Sequence, residues 1–276
     1  MNNDLNERMP TGISSLDPVL DGGVPPGSVV LLVGEQGAGN REFVQSSMIY
    51  LSKMKAAGKN GENRILPEQM IYVSFTRLTS SIINEIKLSY KEDLVTGIED
   101  YISFIDLSNY YFEKSVVPRG WYSHTSLLTE KEKGKASDSL IAELSNSLRK
   151  IKNKSLIIID SLTDLQTTIS GPEEWNQLVG FLRGLQRVSK TWKSTIYILV
   201  SEGVFDYSRL MEVADCCDAI IDFRWEETTG RKRQRIMYFV KFSGAMPHLE
   251  ENDLVKFASK ITTEAGFEVS NIRVVI

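Results

Sequence analysis

Residues 29–41 read VVLLVGEQGAGNR, an apolar run that ends in a glycine-rich loop. The run Val29–Val33 is typical of a strand buried on both faces of a parallel sheet. Gly34 and Gly39 have the spacing of a phosphate-binding loop between a strand and a helix. In such a loop the glycines permit unusual φ angles, and backbone N–H groups converge on a phosphate. The stretch therefore predicts a first strand, a phosphate loop and a helix.

Similar apolar runs recur along the chain and alternate with segments of helical period. The runs are Met70–Phe75, Ile102–Leu107, Leu156–Ile159 and Ile196–Val200. The helical segments are Glu42–Ala57, Ser80–Tyr90, Ser139–Ile151 and Glu173–Lys190. This alternation predicts an α/β fold in which a mostly parallel central sheet is flanked by helices.

The C-terminal part of the chain changes character, because strand patterns follow one another without helices. These strands are Ala219–Trp225, Arg235–Phe242, Leu254–Ala258 and Phe267–Val275, with a hairpin turn at Thr228–Gly230. We expect an antiparallel extension of the same sheet, and hence one domain over residues 1–276. Residues 108–138 form an irregular insertion, rich in aromatic and then in charged residues. Two interpretations of it stay open: its aromatic residues pack on the outer helices, or it is a binding or lid segment.

Composition excludes several classes of protein. Of the 276 residues, 42% are hydrophobic and 25% charged, as in a soluble globular protein, and the net charge is −4. That charge disfavours nucleic-acid binding, and we interpret the basic run Arg231–Arg235 as a solvated hairpin tip. The adjacent Cys216 and Cys217 offer no disulfide framework. The apolar runs are too short to span a membrane and the N-terminus lacks a secretory signal, so a cytoplasmic location is expected.

The residues that carry chemistry in a phosphate loop are changed in this one. A lysine normally follows the last glycine and contacts the β- and γ-phosphates, and a serine or threonine then holds Mg²⁺. This chain has Asn40 and Arg41 at the two positions. Asn40 supplies no charge, and Arg41 has no oxygen for a metal. Two interpretations stay open: nucleotide binding is weakened, or the loop persists only as a strand-to-helix turn.

The residues before the loop carry a specific resemblance. Residues 10–27, PTGISSLDPVLDGGVPPG, resemble the lead-in of the KaiC-like branch of the RecA superfamily. Residues 156–162, LIIIDSL, resemble its Walker B strand, with Asp160 at the Mg²⁺-binding position. Residues 241–248, KFSGAMPH, resemble its K-x-R-G hairpin and begin with Lys241. The resemblance implies a RecA-like P-loop NTPase fold and an ATPase that assembles into rings or filaments, so a homo-oligomer or a protein partner is expected.

The departures from the family pattern concern one reaction. The family's acidic pair after the second strand, which polarises the attacking water, is replaced by Thr76 and Arg77, and the arginine of the K-x-R-G hairpin is replaced by Ser243. Together with Asn40 and Arg41, these changes predict a catalytically degenerate homologue with a regulatory, signalling or scaffolding role and no catalytic or metal-binding residue. The alternatives are a slow or atypical ATPase that relies on Arg41 and Lys241, and a nucleic-acid-binding recombinase paralogue.

The sequence thus predicts a degenerate nucleotide or phosphate site, and weak binding of ATP or ADP there is one of the two interpretations that stay open. Its residues are Gly34, Gly37, Ala38, Gly39, Asn40, Arg41, Asp160 and Lys241.

Overall fold

The computed structural model of the protein describes residues 7–58, 64–113, 115–122, 139–227 and 232–271. Within these ranges the strands are β1 Val29–Gly34, β2 Met70–Ser74, β3 Ile102–Asp106, β4 Leu156–Asp160, β5 Thr195–Ser201, β6 Ala219–Glu227, β7 Arg233–Phe242, β8 Lys256–Thr262 and β9 Gly266–Asn271. They form one sheet in the order β3-β2-β4-β5-β1-β6-β7-β8-β9. All pairings among β1–β6 are parallel, and the pairings from β6 to β9 are antiparallel.

Helices cover both faces of the parallel strands. They are α1 Asn40–Ala56, α2 Thr79–Ser89, α3 Glu92–Val95, α4 Ser108–Phe112, α5 Leu140–Leu148, α6 Leu162–Gln166, α7 Pro172–Trp192, α8 Tyr207–Asp215 and α9 Met246–Glu251. Apolar residues of α1, α2 and α9 belong to one buried cluster, and those of α5–α8 belong to another. Two buried faces explain why the parallel strands read as continuous apolar runs. No helix of the described ranges is both long and apolar enough to cross a membrane.

The predicted α/β architecture is confirmed, including the five parallel runs and the antiparallel extension. The third C-terminal strand begins later than predicted, at Lys256 rather than Leu254, because the N–H of Leu254 donates to the carbonyl of Leu249 and ends helix α9 (2.7 Å). Helix α8 was not predicted; it is short and buries only Val213 and Ala214. The predicted turn at Thr228–Gly230 and the end of the fourth strand lie outside the described residues.

The described part of the 108–138 insertion starts with α4 and has little other regular structure. Tyr111 joins it to the body of the protein, since its hydroxyl hydrogen-bonds the Thr167 hydroxyl at 2.8 Å. The ring of Phe112 contacts the ring of Tyr111 edge-on and lies tilted against that of Tyr122. Trp121, in contrast, is 76% exposed. The packing interpretation therefore holds for Tyr111 but not for Trp121, and the charged part of the insertion lies outside the described residues.

An aromatic cluster lies under the first loop and joins both halves of the sheet. Phe43 of α1 contacts Phe223 of β6 and Phe267 of β9, with ring centroids 5.6 and 5.5 Å apart. Phe267 also supports the loop directly: a Cβ atom added to Gly39, which has φ +117°, would lie 3.1 Å from the Phe267 ring. The antiparallel extension therefore contributes to the shape of the loop as well as to the core.

Candidate functional site

A cavity of about 390 Å³ lies at the carboxyl ends of the parallel strands. The sheet register explains its position, because Gly34 at the end of β1 pairs with Ser201 of β5, and Asp160 at the end of β4 pairs with Ser74 of β2. Ligands of open α/β sheets bind at this edge. The lining residues are Gly34, Glu35, Gln36, Gly37, Asn40, Arg41, Glu42, Glu85, Asp160, Ser161, Leu199, Val200 and Ser201.

The glycine-rich loop has the backbone shape expected of a phosphate loop. Gly37 and Gly39 have φ angles of 72° and 117°, and the N–H of Ala38 donates to the carbonyl of Glu35 at 3.0 Å. Helix α1 begins directly after Gly39, so its N-terminal backbone dipoles face the cavity. The side chain of Asn40 lies against Gly34 at the start of the loop. A Cβ atom added to Gly34 would lie only 2.5 Å from Asn40 Cγ. The loop therefore keeps its anion-binding geometry without the usual lysine.

The outer side of the loop is held by the β6–β7 hairpin. The indole N–H of Trp225 donates to the carbonyl of Gln36 at 3.2 Å, and Arg235 Nε donates to the carbonyl of Gly37 at 2.9 Å. The guanidinium groups of Arg233 and Arg235 stack on the indole of Trp225, 4.7 and 4.4 Å from the ring centroid. The prediction of a solvated basic tip is therefore wrong for Arg235, because hairpin pairing returns this residue to the loop.

The carboxylate of Asp160 is enclosed by protein groups. Its side chain is 1% exposed, and its Oδ1 accepts a hydrogen bond from Arg41 Nη2 at 3.1 Å. Its Oδ2 accepts one from the Tyr72 hydroxyl and lies 3.8 Å from Arg77 Nη1. A buried carboxylate requires such compensation, since removing an unpaired charge from water is very unfavourable. Two guanidinium groups thus balance the charge of Asp160, and a phenol donates a hydrogen bond to it.

Arg77 is held beside Asp160 by the turn that follows β2. Its backbone N–H donates to the Ser74 hydroxyl at 3.0 Å, and that hydroxyl donates to the Arg77 carbonyl at 2.9 Å. Its guanidinium also bonds Glu85 of α2, which accepts a second hydrogen bond from Gln45 Nε2 at 2.7 Å. These contacts link β2, α2 and α1 around the carboxylate.

Burial and neighbouring charges shift the pKa values of several groups around Asp160. Burial disfavours the charge on Arg41, but Asp160, through its charge and hydrogen bond, outweighs this effect and raises the pKa of Arg41. Burial, together with the neighbouring Asp160, raises the pKa of Tyr72 well above its ordinary value. Burial and the charge of Asp160 also raise the pKa of Asp164. Tyr72 therefore remains a neutral hydrogen-bond donor to Asp160.

Comparisons with known proteins identify the family. The sequence model of the KaiC ATPases matches residues 9–255. The chain belongs to the KaiC-like ATPase family. In fold it is similar to the KaiC-like protein PH0186 of the hyperthermophilic archaeon Pyrococcus horikoshii, with a TM-score of 0.62, 15% identity and coverage of 96% of this chain and 99% of that one. It is also similar to the flagellar accessory protein FlaH of Methanocaldococcus jannaschii, with a TM-score of 0.60, 17% identity and coverage of 94% and 96%. None of the curated proteins compared with the chain matches it.

The KaiC-like family implies Mg²⁺ with ATP, but the residues at this site do not fit the ion. P-loop ATPases hold Mg²⁺ with a hydroxyl of the loop and the Walker B carboxylate. Arg41 stands at the hydroxyl position, and both oxygens of Asp160 are engaged by protein groups. Within the ranges that the structure describes, no group of three or more His, Cys, Asp or Glu side chains could hold a metal ion. The groups around Asp160 are hydrogen-bond donors, which suit an anion better than a cation.

The structure brings together most of the predicted site residues within one chain. Gly34, Gly37, Asn40, Arg41 and Asp160 line the cavity, whereas Ala38 and Gly39 shape the loop from beneath.

Lys241 lies elsewhere. On β7 it pairs with Ile220 of β6, whereas Gly34 pairs with Phe223, three residues further along β6. Lys241 Nζ donates a hydrogen bond to the carbonyl of Ala214, near the end of α8, at 3.1 Å. In the same chain it is therefore remote from the loop, and a role for Lys241 in a neighbouring subunit's site stays a prediction.

Sequence reasoning missed several residues around the site, namely Tyr72, Glu85, Trp225 and Arg235. One signal was available for Tyr72: its hydroxyl is the only polar group in the otherwise apolar stretch 70–73, and it lies two residues before Ser74 on the same strand face. In the sequence Arg77 indicates only the loss of an acid, because its approach to Asp160 depends on the pairing of β2 with β4.

The Tyr72 hydrogen bond can be tested by Tyr72→Phe, which removes only the hydroxyl. We expect the free energy of unfolding to fall by about 2 kcal/mol, because a bond to a buried carboxylate is lost. The control Tyr111→Phe removes a solvent-exposed bond, and we expect a change below about 0.5 kcal/mol. Denaturant titration measures both, and equal losses would contradict the assignment.

The contribution of Tyr72 to the free energy of unfolding also depends on pH, and the pKa of Tyr72 gives the direction of the change. Its pKa in the folded protein is raised above the ordinary value of 10. The stability difference between the native protein and Tyr72→Phe should therefore be constant below about pH 10 and shrink as the pH rises through the folded-state pKa.

The hydrogen bond from Arg235 to the phosphate loop can be tested with a matched pair of arginine variants. Arg235→Ala removes the bond to Gly37 as well as the stacking on Trp225, whereas Arg233→Ala removes stacking on the same ring. We expect amide hydrogen exchange in residues 34–41 to rise about tenfold in Arg235→Ala, as for the loss of one charged hydrogen bond. Exchange mass spectrometry reads this directly, and the same rise in Arg233→Ala would show that Gly37 is not the contact that matters.

Proposed function

We propose that this KaiC-like protein does not hydrolyse ATP and serves a regulatory or scaffolding role. The observation that carries the proposal is the engagement of Asp160 by Arg41, Arg77 and Tyr72. In a hydrolysing relative the equivalent carboxylate has to be available to Mg²⁺, which neutralises charge that develops on the transferring phosphoryl group.

The position of Arg77 supports the same proposal independently. Hydrolysis needs a water molecule that is oriented or deprotonated by an acidic side chain, a contribution of about 10² to 10⁴ in rate. Neither Thr76 nor Arg77 can provide a carboxylate, and Arg77 turns its guanidinium toward Asp160 and Glu85. The acidic pair has thus been replaced by a group of opposite charge that has a structural partner.

Steady-state phosphate release from Mg-ATP tests the proposal. We expect the native protein to release phosphate at the background rate, and Asp160→Asn to give the same rate. Circular dichroism and a melting curve should accompany both proteins, so that a folding defect is not mistaken for lost turnover. Robust hydrolysis by the native protein that Asp160→Asn abolishes would overturn the proposal.

A scaffolding role implies association, and we propose that the protein assembles with copies of itself. The support is the retention of Lys241, which lies on β7 away from the loop of its own chain and bonds the end of α8. In the KaiC-like arrangement this hairpin faces the nucleotide of a neighbouring subunit. Helix α8, whose C-terminal end Lys241 contacts, also carries Tyr207 and Met211, which are 79% and 39% exposed.

Light scattering coupled to size-exclusion chromatography tests the association. We expect a mass above that of one 31.1 kDa chain, and a decrease in mass for the double variant Tyr207→Ser/Met211→Ser. The control is Leu88→Ser, which removes an apolar side chain that is 88% exposed on α2. A monomeric mass at high protein concentration would contradict the association.

A further inference from the structure

Arg41 occupies a bridging position at the edge of the cavity. Its guanidinium is bonded to the buried Asp160 on one side, while 42% of its side chain is exposed and lines the cavity on the other. A divalent cation in a P-loop ATPase stands in the same relation, between the Walker B carboxylate and the phosphates. A guanidinium can fulfil that role, because its five N–H donors reach in several directions and bind carboxylate and phosphate alike.

The arginines of the site have donor capacity that the described residues do not use. Arg41 Nε and Arg77 Nη1 are buried and lack a hydrogen-bond acceptor among them. Arg41 lines the cavity, whereas Arg77 does not, and Arg77 Nη1 lies 3.8 Å from Asp160 Oδ2. The part of this pair that a ligand in the cavity can reach is therefore the exposed 42% of the Arg41 side chain.

Four carboxylates also line the cavity, so a preference for an anion is local to Arg41 and the loop N–H groups. Glu85 and Asp160 are already paired with the two arginines, and Glu35 accepts a hydrogen bond from the Trp225 backbone N–H at 3.3 Å. Glu42, in the first turn of α1, adds a further negative charge. It lowers the affinity for every phosphoryl anion, but it does not make that affinity depend on a metal.

We propose that Arg41 replaces the divalent cation, so that the site binds a phosphoryl anion without metal. The ligand class is the phosphate end of a nucleotide or a free inorganic phosphate. Loop N–H groups at the N-terminus of α1 contact the anion on one side and Arg41 contacts it on the other. This inference rests on the proposed function. The two belong together, because a site that binds phosphate without Mg²⁺ lacks the charge neutralisation that hydrolysis needs.

Isothermal titration calorimetry tests the inference on the whole chain. The probes are ATP, ADP, pyrophosphate and inorganic phosphate, each titrated once with EDTA and once with excess Mg²⁺. We expect at least one probe to bind in EDTA, with an affinity that Mg²⁺ raises by less than about threefold. Binding of ATP and ADP alone identifies a nucleotide as the ligand, whereas equal binding of pyrophosphate or phosphate identifies an inorganic anion.

Two variants change the metal-free affinity in opposite directions. Arg41→Thr restores the family's hydroxyl and should weaken binding in EDTA about tenfold or more, as for a lost charged hydrogen bond. Asp160→Asn removes the charge that competes for Arg41 and should strengthen binding in EDTA. At a Mg²⁺ site the same substitution would weaken binding in excess Mg²⁺, so the sign of its effect in that titration separates the two mechanisms. Arg233→Ala is the control for general positive charge near the loop, with an expected change below about twofold.

Three results would overturn metal-free binding: an affinity that Mg²⁺ raises tenfold or more in the native protein, an unchanged affinity of folded Arg41→Thr in EDTA, or no binding of any probe. Each of them leaves the proposed loss of hydrolysis standing. Hydrolysis of ATP during the Mg²⁺ titrations would instead overturn the proposed function.

Discussion

The ion pair between Arg41 and Asp160 is the contact on which the site depends. Asp160 ends a buried strand, and a carboxylate in that position needs a cation or strong donors nearby. In a Mg²⁺-dependent relative the ion and its ligands supply the charge when nucleotide is bound. In this structure the chain itself supplies the charge, from α1 and from the turn after β2, and the Tyr72 hydroxyl adds a hydrogen bond. The site therefore has a stable charge arrangement of its own.

The shape of the phosphate loop also depends on the rest of the fold. Phe267 of β9 packs beneath Gly39, and Arg235 of β7 bonds the carbonyl of Gly37 from outside. Both strands belong to the antiparallel extension, which is far from the loop in sequence. A loop held in this way keeps its geometry when its charged residues change, because the contacts that fix it involve backbone carbonyls and the core. This explains how a phosphate-loop backbone persists beside Asn40 and Arg41.

Much of the fold could be predicted from the sequence because the parallel strands are buried on both faces. The run Val29–Val33 and its counterparts are apolar without alternation, and helical segments separate them along the chain. The site was predictable only in part. Gly34, Arg41 and Asp160 follow from motif spacing, whereas the contacts of Arg77 and Arg235 depend on long-range register. Pairing of Ser74 with Asp160 brings Arg77 to the carboxylate, and pairing within the β6–β7 hairpin brings Arg235 to the loop.

The central claim is that protein cations, and not a metal ion, neutralise Asp160. The most direct measurement is a crystal structure with ADP and Mn²⁺, read by anomalous scattering at the manganese edge. The account predicts no manganese within about 2.5 Å of the Asp160 carboxylate, the range of direct coordination. It also predicts that Arg41 Nη2 remains hydrogen-bonded to Oδ1, as at 3.1 Å here. Manganese bound to Asp160, with the guanidinium of Arg41 displaced, would contradict the account.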